Sequence, residues 1–219
     1  MRAFILCCCA LLLIPGLALA GDTALDRPHW SLEIKGGSFY PEIENWKTYY
    51  GQDKTTEYAG TLAYKFLRQA EAGIELGYVR DRGLGYAPLN SQLLGTQVLS
   101  GSVKYELLPV NVFVLLRGVF AEEQWLVPYI GGGYTKMLYR ESVEGQGTAR
   151  GSVNGYHGRA GVQLLLDNID SGAANNLYQD YGVYHTYLFV EVEMTRARLD
   201  SPSVDLGGKS YLAGFLFEF

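Results

Sequence analysis

After residue 20 the chain carries eight stretches in which apolar and polar residues alternate with a period of two. No apolar run there approaches the roughly 20 residues that a membrane-spanning helix needs. Period-two alternation makes strands with two unlike faces. In the first stretch Trp30, Leu32, Ile34 and Tyr40 oppose Ser31, Glu33 and Lys35; in the second Tyr58, Leu62, Tyr64 and Phe66 oppose Glu57, Thr61 and Lys65. The third sets Ala70, Ala72, Ile74, Leu76 and Tyr78 against Glu71 and Glu75. The fourth sets Val110, Val112, Val114, Leu116 and Phe120 against Asn111 and Arg117, with Pro109 expected at a bulge or above any membrane. Proline has no ladder hydrogen bond to give.

The fifth stretch, Val127 to Glu141, is the hardest to orient. Because Lys136 and Arg140 share one face, the reading turns Val127, Tyr129, Met137 and Tyr139 outward. The sixth opposes Tyr156, Ala160, Val162, Leu164 and Leu166 to His157, Arg159 and Gln163, and the seventh opposes Tyr184 to Met194 at alternate positions to Glu191 and Glu193. The eighth ends the chain, with Tyr211, Ala213, Phe215, Phe217 and Phe219 against Ser210, Gly214 and Glu218.

Connection lengths alternate too. Residues 67–69 and 121–126 are short, whereas 41–56, 81–95, 141–153 and 198–207 are long and polar. An even-stranded membrane barrel has this rhythm, with short turns at one rim and long loops at the other. The connection 170–182 is an exception at the short-turn rim. Ala173, Ala174, Leu177, Tyr178 and Tyr181 recur at helical spacing between an Asp170 or Ser171 N-cap and a Gly182 stop. It reads as a short periplasmic helix whose apolar face plugs or leans on the lower rim.

The expected fold is therefore an all-β, eight-stranded, antiparallel, up-and-down transmembrane barrel with one helix between its sixth and seventh strands. A soluble secreted barrel would show the same period with its apolar face inside. Aromatic residues near the strand ends favour the inverted arrangement, since membrane barrels carry aromatic girdles. The 27 glycines of 219 residues suit twisted strands and close backbone approaches.

Residues 1–20 read as a cleaved signal peptide: Arg2, the apolar run Phe4 to Leu13, and Ala18-Leu19-Ala20 before Gly21. Residues 21–219 then form the barrel domain. Cys7, Cys8 and Cys9, the only cysteines, all fall in the leader. Removing it takes one base and no acid from 18 and 23, leaving a net charge of −6, which speaks against nucleic-acid binding.

The ending Tyr211-x-Ala213-x-Phe215-x-Phe217-x-Phe219 resembles the C-terminal assembly signal of outer-membrane barrels. Val127-Pro-Tyr-Ile-Gly-Gly-Gly-Tyr134 resembles a Pro-Tyr-x-Gly-x-Gly strand of the small outer-membrane protein W-like and opacity-type barrels. The resemblance implies a Gram-negative, porin-like outer-membrane protein, lipid as its surroundings, and the barrel-assembly machinery as a partner during biogenesis.

Eight strands leave a lumen just wide enough for side chains to fill it. Glu33, Lys35, Lys65, Glu71, Glu75, Arg117, Lys136, Arg159 and Glu191 are expected to line it as a mutually neutralising polar network, because buried charges are costly unless paired. The functional reading is a structural or surface-interaction role. An alternative is binding or passage of small apolar molecules, which inward Phe113, Leu115, Leu165, Phe189, Leu212 and Leu216 support. The third reading is a lipid A acyltransferase or deacylase. Its one well-placed candidate is His157, with Ser152 and Glu144 close in sequence; His29 with Ser31, and His185, fall at the opposite rim. No catalytic, cofactor or metal site is expected, since neither a nucleophile–base–acid set nor a metal-ligand spacing occurs.

Overall fold

The computed structural model describes residues 28–43, 46–86, 99–121, 123–143, 147–200 and 203–219. The expected leader lies outside them. Eight antiparallel strands close on themselves: β1 (Trp30–Pro41), β2 (Thr55–Leu67), β3 (Ala70–Tyr86), β4 (Leu99–Arg117), β5 (Leu126–Val143), β6 (Gly147–Leu165), β7 (His185–Arg196) and β10 (Gly208–Glu218). A small hairpin, β8 (Arg198–Asp200) with β9 (Ser203–Asp205), stands between β7 and β10. Closure leaves the barrel itself no edge strand. Where β1 meets β10, Trp30 and Phe219 exchange both backbone hydrogen bonds, at 3.0 and 2.8 Å, so both ends of the barrel lie at one rim.

Alternation decides the faces. Ser31, Glu33 and Lys35 are buried in the lumen while Leu32 and Ile34 are exposed on the outer wall, and β2 repeats the pattern without a break from Thr55 to Phe66. The outer wall is apolar, with Trp30, Tyr64, Phe66, Trp125 and Phe219 toward the rim of the termini and Tyr40, Tyr58, Tyr78, Tyr156 and Tyr211 nearer the far rim.

Three expectations are corrected. The fifth strand faces the other way: Val127, Tyr129 and Met137 are buried inside, and Lys136 and Arg140 are exposed outside. Of the two placements expected for Pro109, a bulge or a position above any membrane, the bulge is ruled out. The β3–β4 register is the same on either side of the proline, Leu76 opposite Val110 and Val79 opposite Leu107; the ladder merely lacks its pairs between. The polar connections are also shorter than expected. β5 and β6 run on as a ladder to Val143 opposite Gly147, and β3 continues to Tyr86.

Within 41–56 a short helix, α1 (Trp46–Tyr50), folds over the far mouth. Trp46 stacks on Tyr50 at 4.0 Å and meets Tyr105 edge-on at 5.2 Å. Ile43 and Trp46 thereby join Phe39, Val79, Leu107, Met137, Val153, Ala197 and Leu206 in an apolar cluster that fills the upper lumen.

The second helix, α2 (Ser171–Tyr181), forms as expected. The Asp170 side chain accepts from the Ala173 N–H at 2.9 Å, and Gly182 ends the helix in the left-handed region that favours glycine. It does not plug the barrel. None of its residues is buried, and its tie to the rim is an edge contact of Tyr178 with Tyr184 at 5.0 Å.

Candidate functional site

Chemistry-bearing side chains converge in the lumen, and the register of the strands brings them there. Sequence order along each strand sets the height. Reading up from the rim of the termini, β4 contributes Arg117, Leu115, Phe113 and Asn111, then Leu107 and Tyr105; β7 contributes Tyr187, Phe189, Glu191, Glu193 and Thr195.

A lower charged group forms around Glu218, whose carboxylate is bridged by Lys65 and Arg117. Arg117 also donates to Gln163 Oε1 at 2.6 Å and lies over the Tyr187 ring at 5.1 Å. Beside it Ser31 donates to Glu71 at 3.3 Å.

The middle group is denser. Lys35 Nζ sits 2.5 Å from Glu191 Oε1 and 2.7 Å from Glu75 Oε2. Glu75 Oε2 also accepts from Arg159 Nη1 at 2.8 Å and from Thr61 Oγ1 at 3.0 Å. Asn111 Nδ2 bridges Glu75 at 3.0 Å and Glu193 at 3.3 Å. The Arg159 guanidinium lies 3.8 Å from the centre of the Phe113 ring and 3.7 Å from both Glu33 and Glu191. Tyr129 reaches in from β5 and donates to Glu191 Oε2 at 2.9 Å. Its hydroxyl occupies space that only a glycine at 161 leaves open: a Cβ there would lie 2.5 Å from the Tyr129 oxygen.

The apolar partners are interleaved with these charges. Phe113, Leu115, Val127, Leu165, Phe189 and Leu216 form a second cluster with Tyr129 and Tyr187, and Leu212 is buried as well. Aromatic faces and aliphatic side chains exclude water from the ion pairs, which raises both the cost of each isolated charge and the strength of each pair. Charge thus dominates the lower and middle lumen, and above it the apolar cluster shares its level with the buried carboxylates of Asp81 and Glu141, which flank Tyr105.

Of the nine residues expected in the network, Glu33, Lys35, Lys65, Glu71, Glu75, Arg117, Arg159 and Glu191 are buried inside. Lys136 is not: it is exposed on the outer wall, two residues from Tyr134. The basic charge misled the assignment, because a long side chain at the edge of an apolar belt can run along it to reach water. The alternation had already put Glu57, Asn111, Glu193 and Glu218 on inward faces; what it could not show is that they belong to the same network. Glu57 accepts from Ser210 at 2.5 Å, and Thr195 donates to Glu193 at 3.1 Å.

The structure does not bring His157 together with Ser152. His157 lies inside the barrel with Nδ1 2.8 Å from Thr135 Oγ1, while Ser152 faces outward on the same strand; Glu144 lies outside the described residues. His29 stacks on Tyr64 at 5.8 Å, and His185 Nδ1 pairs with Asp167 at 2.9 Å. No group of three potential metal ligands occurs among the described residues. Tyr211, Phe215 and Phe219 of the C-terminal strand point outward, and Phe217 on the same face is half-buried.

A closed, eight-stranded antiparallel barrel with an apolar exterior and a charged, filled interior is the fold of the small outer-membrane barrels. Neisserial surface protein A matches over 87% of this chain and 96% of its own, with a TM-score of 0.53 and 12% identity. The outer-membrane protein OprG from Pseudomonas aeruginosa matches over 88% and 97%, with a TM-score of 0.52 and 16% identity. Ail of Yersinia pestis, in a complex with the heparin analogue sucrose octasulfate, matches over 89% and 100%, with a TM-score of 0.52 and 12% identity. At these identities the likeness is one of fold. No family model matches the sequence, and no curated protein matches it by sequence.

Proposed function

We propose that the chain is an integral outer-membrane barrel, exported by its leader and assembled through its C-terminal strand, whose role is structural or surface-interacting rather than conductive. The observation that carries this reading is the lumen. Two tied groups of ion pairs and two apolar clusters occupy its length, and α1 covers its mouth. The outer wall supports the membrane location, since closed barrels pair every backbone group internally and so can present hydrocarbon to lipid.

The test is heat-modifiability on gels of protein extracted from purified outer membranes, followed by planar-bilayer recording. Faster migration before boiling with no steady conductance is the expected result. Recovery from the soluble periplasm without a mobility shift would sink the membrane reading; stable unitary currents would sink the closed-lumen reading.

A second reading, binding or passage of small apolar molecules, draws on the apolar upper lumen beneath Trp46 and Tyr50. There Trp46 would act as a lid, and Trp46→Ala should then raise uptake of an apolar solute into proteoliposomes. Unchanged uptake would remove that reading.

A further inference from the structure

The outer wall is not uniform at its far end. On β3 to β6 the outward positions above the aromatic level carry Arg80, Arg82, Lys104, Arg140 and Arg150, with Glu106 among them. Arg80 lies 3.9 Å from Glu106, and none of the other four is in an ion pair among the described residues. The register makes this costly. Arg82 stands directly opposite Lys104, and Arg140 stands between Arg150 on one side and Glu106 on the other, so that one carboxylate serves Arg80 and Arg140 while Arg150 has none beside it. Like charges in opposed cross-strand positions weaken a sheet. Elsewhere on the wall bases occur singly: Lys209 stands opposite Tyr40 and Met194, and Arg196 opposite Tyr156.

Immediately below the Arg140–Arg150 pair the same wall turns apolar. Tyr78, Leu108 and Leu138, with Ser152, floor an outward groove of about 590 Å³ whose upper lining is Arg140, Arg150 and Glu106. Two guanidinium groups over an exposed hydrocarbon floor match an anionic amphiphile. Its phosphate would take bidentate hydrogen bonds from the arginines and cancel their repulsion, while a chain packed on Leu108 and Leu138.

We propose that this groove seats the phosphorylated headgroup of an anionic outer-leaflet lipid, which makes β3 to β6 a lipid-selective flank of the barrel. The proposal rests on the reading of the chain as a membrane barrel with this rim outward.

The test uses the full barrel in phosphatidylcholine bicelles, with or without added diphosphorylated lipid A, or with inorganic phosphate, and follows the temperature at which the compact gel band is lost. Lipid A should raise that temperature for the wild type and for Lys209→Gln. The double variant Arg140→Gln/Arg150→Gln should lose the rise, yet in phosphatidylcholine alone be at least as stable as the wild type, because a repulsion is gone. A merely structural role for the arginines would instead weaken the barrel in both lipids.

No rise in the wild type, a full rise in the double variant, or an equal rise with inorganic phosphate would overturn the proposal. The wild type gives a second measurement that needs no variant: phosphorus retained per barrel after detergent exchange. Lipid A should be retained about tenfold over phosphatidylglycerol, the order of one charge-assisted interaction, and equal retention counts against it. A wild type without a compact band in phosphatidylcholine would overturn the membrane reading and this proposal together; a compact band indifferent to lipid A overturns the proposal alone.

Discussion

Lys35 has no route to water, so its stability contribution is set by Glu75 and Glu191. Removing one partner from such a group leaves a buried, uncompensated charge, at a cost of about 3–5 kcal/mol. Lys35→Met should therefore lower the temperature at which the compact gel band is lost far more than Lys47→Met, whose ion pair with Asp53 is exposed. Gly161→Ala tests packing rather than charge. Its Cβ would press on the Val190 carbonyl and the Tyr129 hydroxyl, and overpacking of this kind costs about 1–3 kcal/mol; the same thermal assay reads it.

Asp205, in the hairpin beyond β7, behaves differently. Burial pushes its carboxyl up, but the Ala197 and Gly207 N–H groups and Arg198 outweigh that and hold it below the ordinary value. A carboxyl depressed in the folded state stabilises above its unfolded pKa, and the contribution is lost as pH falls through the folded one. Protection from hydrogen exchange at Ala197 and Gly207 should accordingly persist below the ordinary aspartate range and be lost only as pH falls through the depressed pKa. Asp205→Asn should show the fast exchange already at neutral pH.

At the scale of the element, legibility followed the environment. Strands inside the apolar belt were readable because an apolar exterior and a charged lumen give them unlike faces, and α2 was readable from its caps. Above the belt the outward positions of β3 are charged and inward Asp81 is charged too, so Arg80, Asp81 and Arg82 continue the strand with no alternation of hydropathy to mark them. The fifth strand failed for a related reason. Gly131, Gly132 and Gly133 erase its central pattern, and inward Tyr129 is apolar by composition but works through its hydroxyl. For α1, five residues were too few for a periodicity, though Ile43, Trp46 and Tyr50 do recur at helical spacing.

The C-terminal strand carries its own prediction. β10 pairs with β1 through Ser31–Glu218 to Pro41–Gly208, and most of its aromatic residues point away from the lumen. Phe219→Ala should then refold in detergent with normal heat-modifiability but accumulate poorly in cellular outer membranes. Equal loss in both settings would assign Phe219 to stability instead of assembly.

For the whole molecule, the alternating pattern identified a barrel and the polarity of its two surfaces, yet it could not apportion the lumen. Which inward charge meets which depends on strand tilt and stagger: Lys35 of β1 meets Glu191 of β7, and Lys65 of β2 meets Glu218 of β10. These partners lie far apart along the chain, beyond the reach of any local pattern.

The hydrogen-bonded meeting of Trp30 and Phe219 has a topological consequence. The two ends of the barrel form a seam rather than a boundary, indistinguishable in pairing from its other joints. A chain spliced across that seam and reopened within Ser171–Tyr181, where no residue is buried, would keep every rung of the barrel. Such a permutant would differ from the native protein in the order of its manufacture and not in the object made.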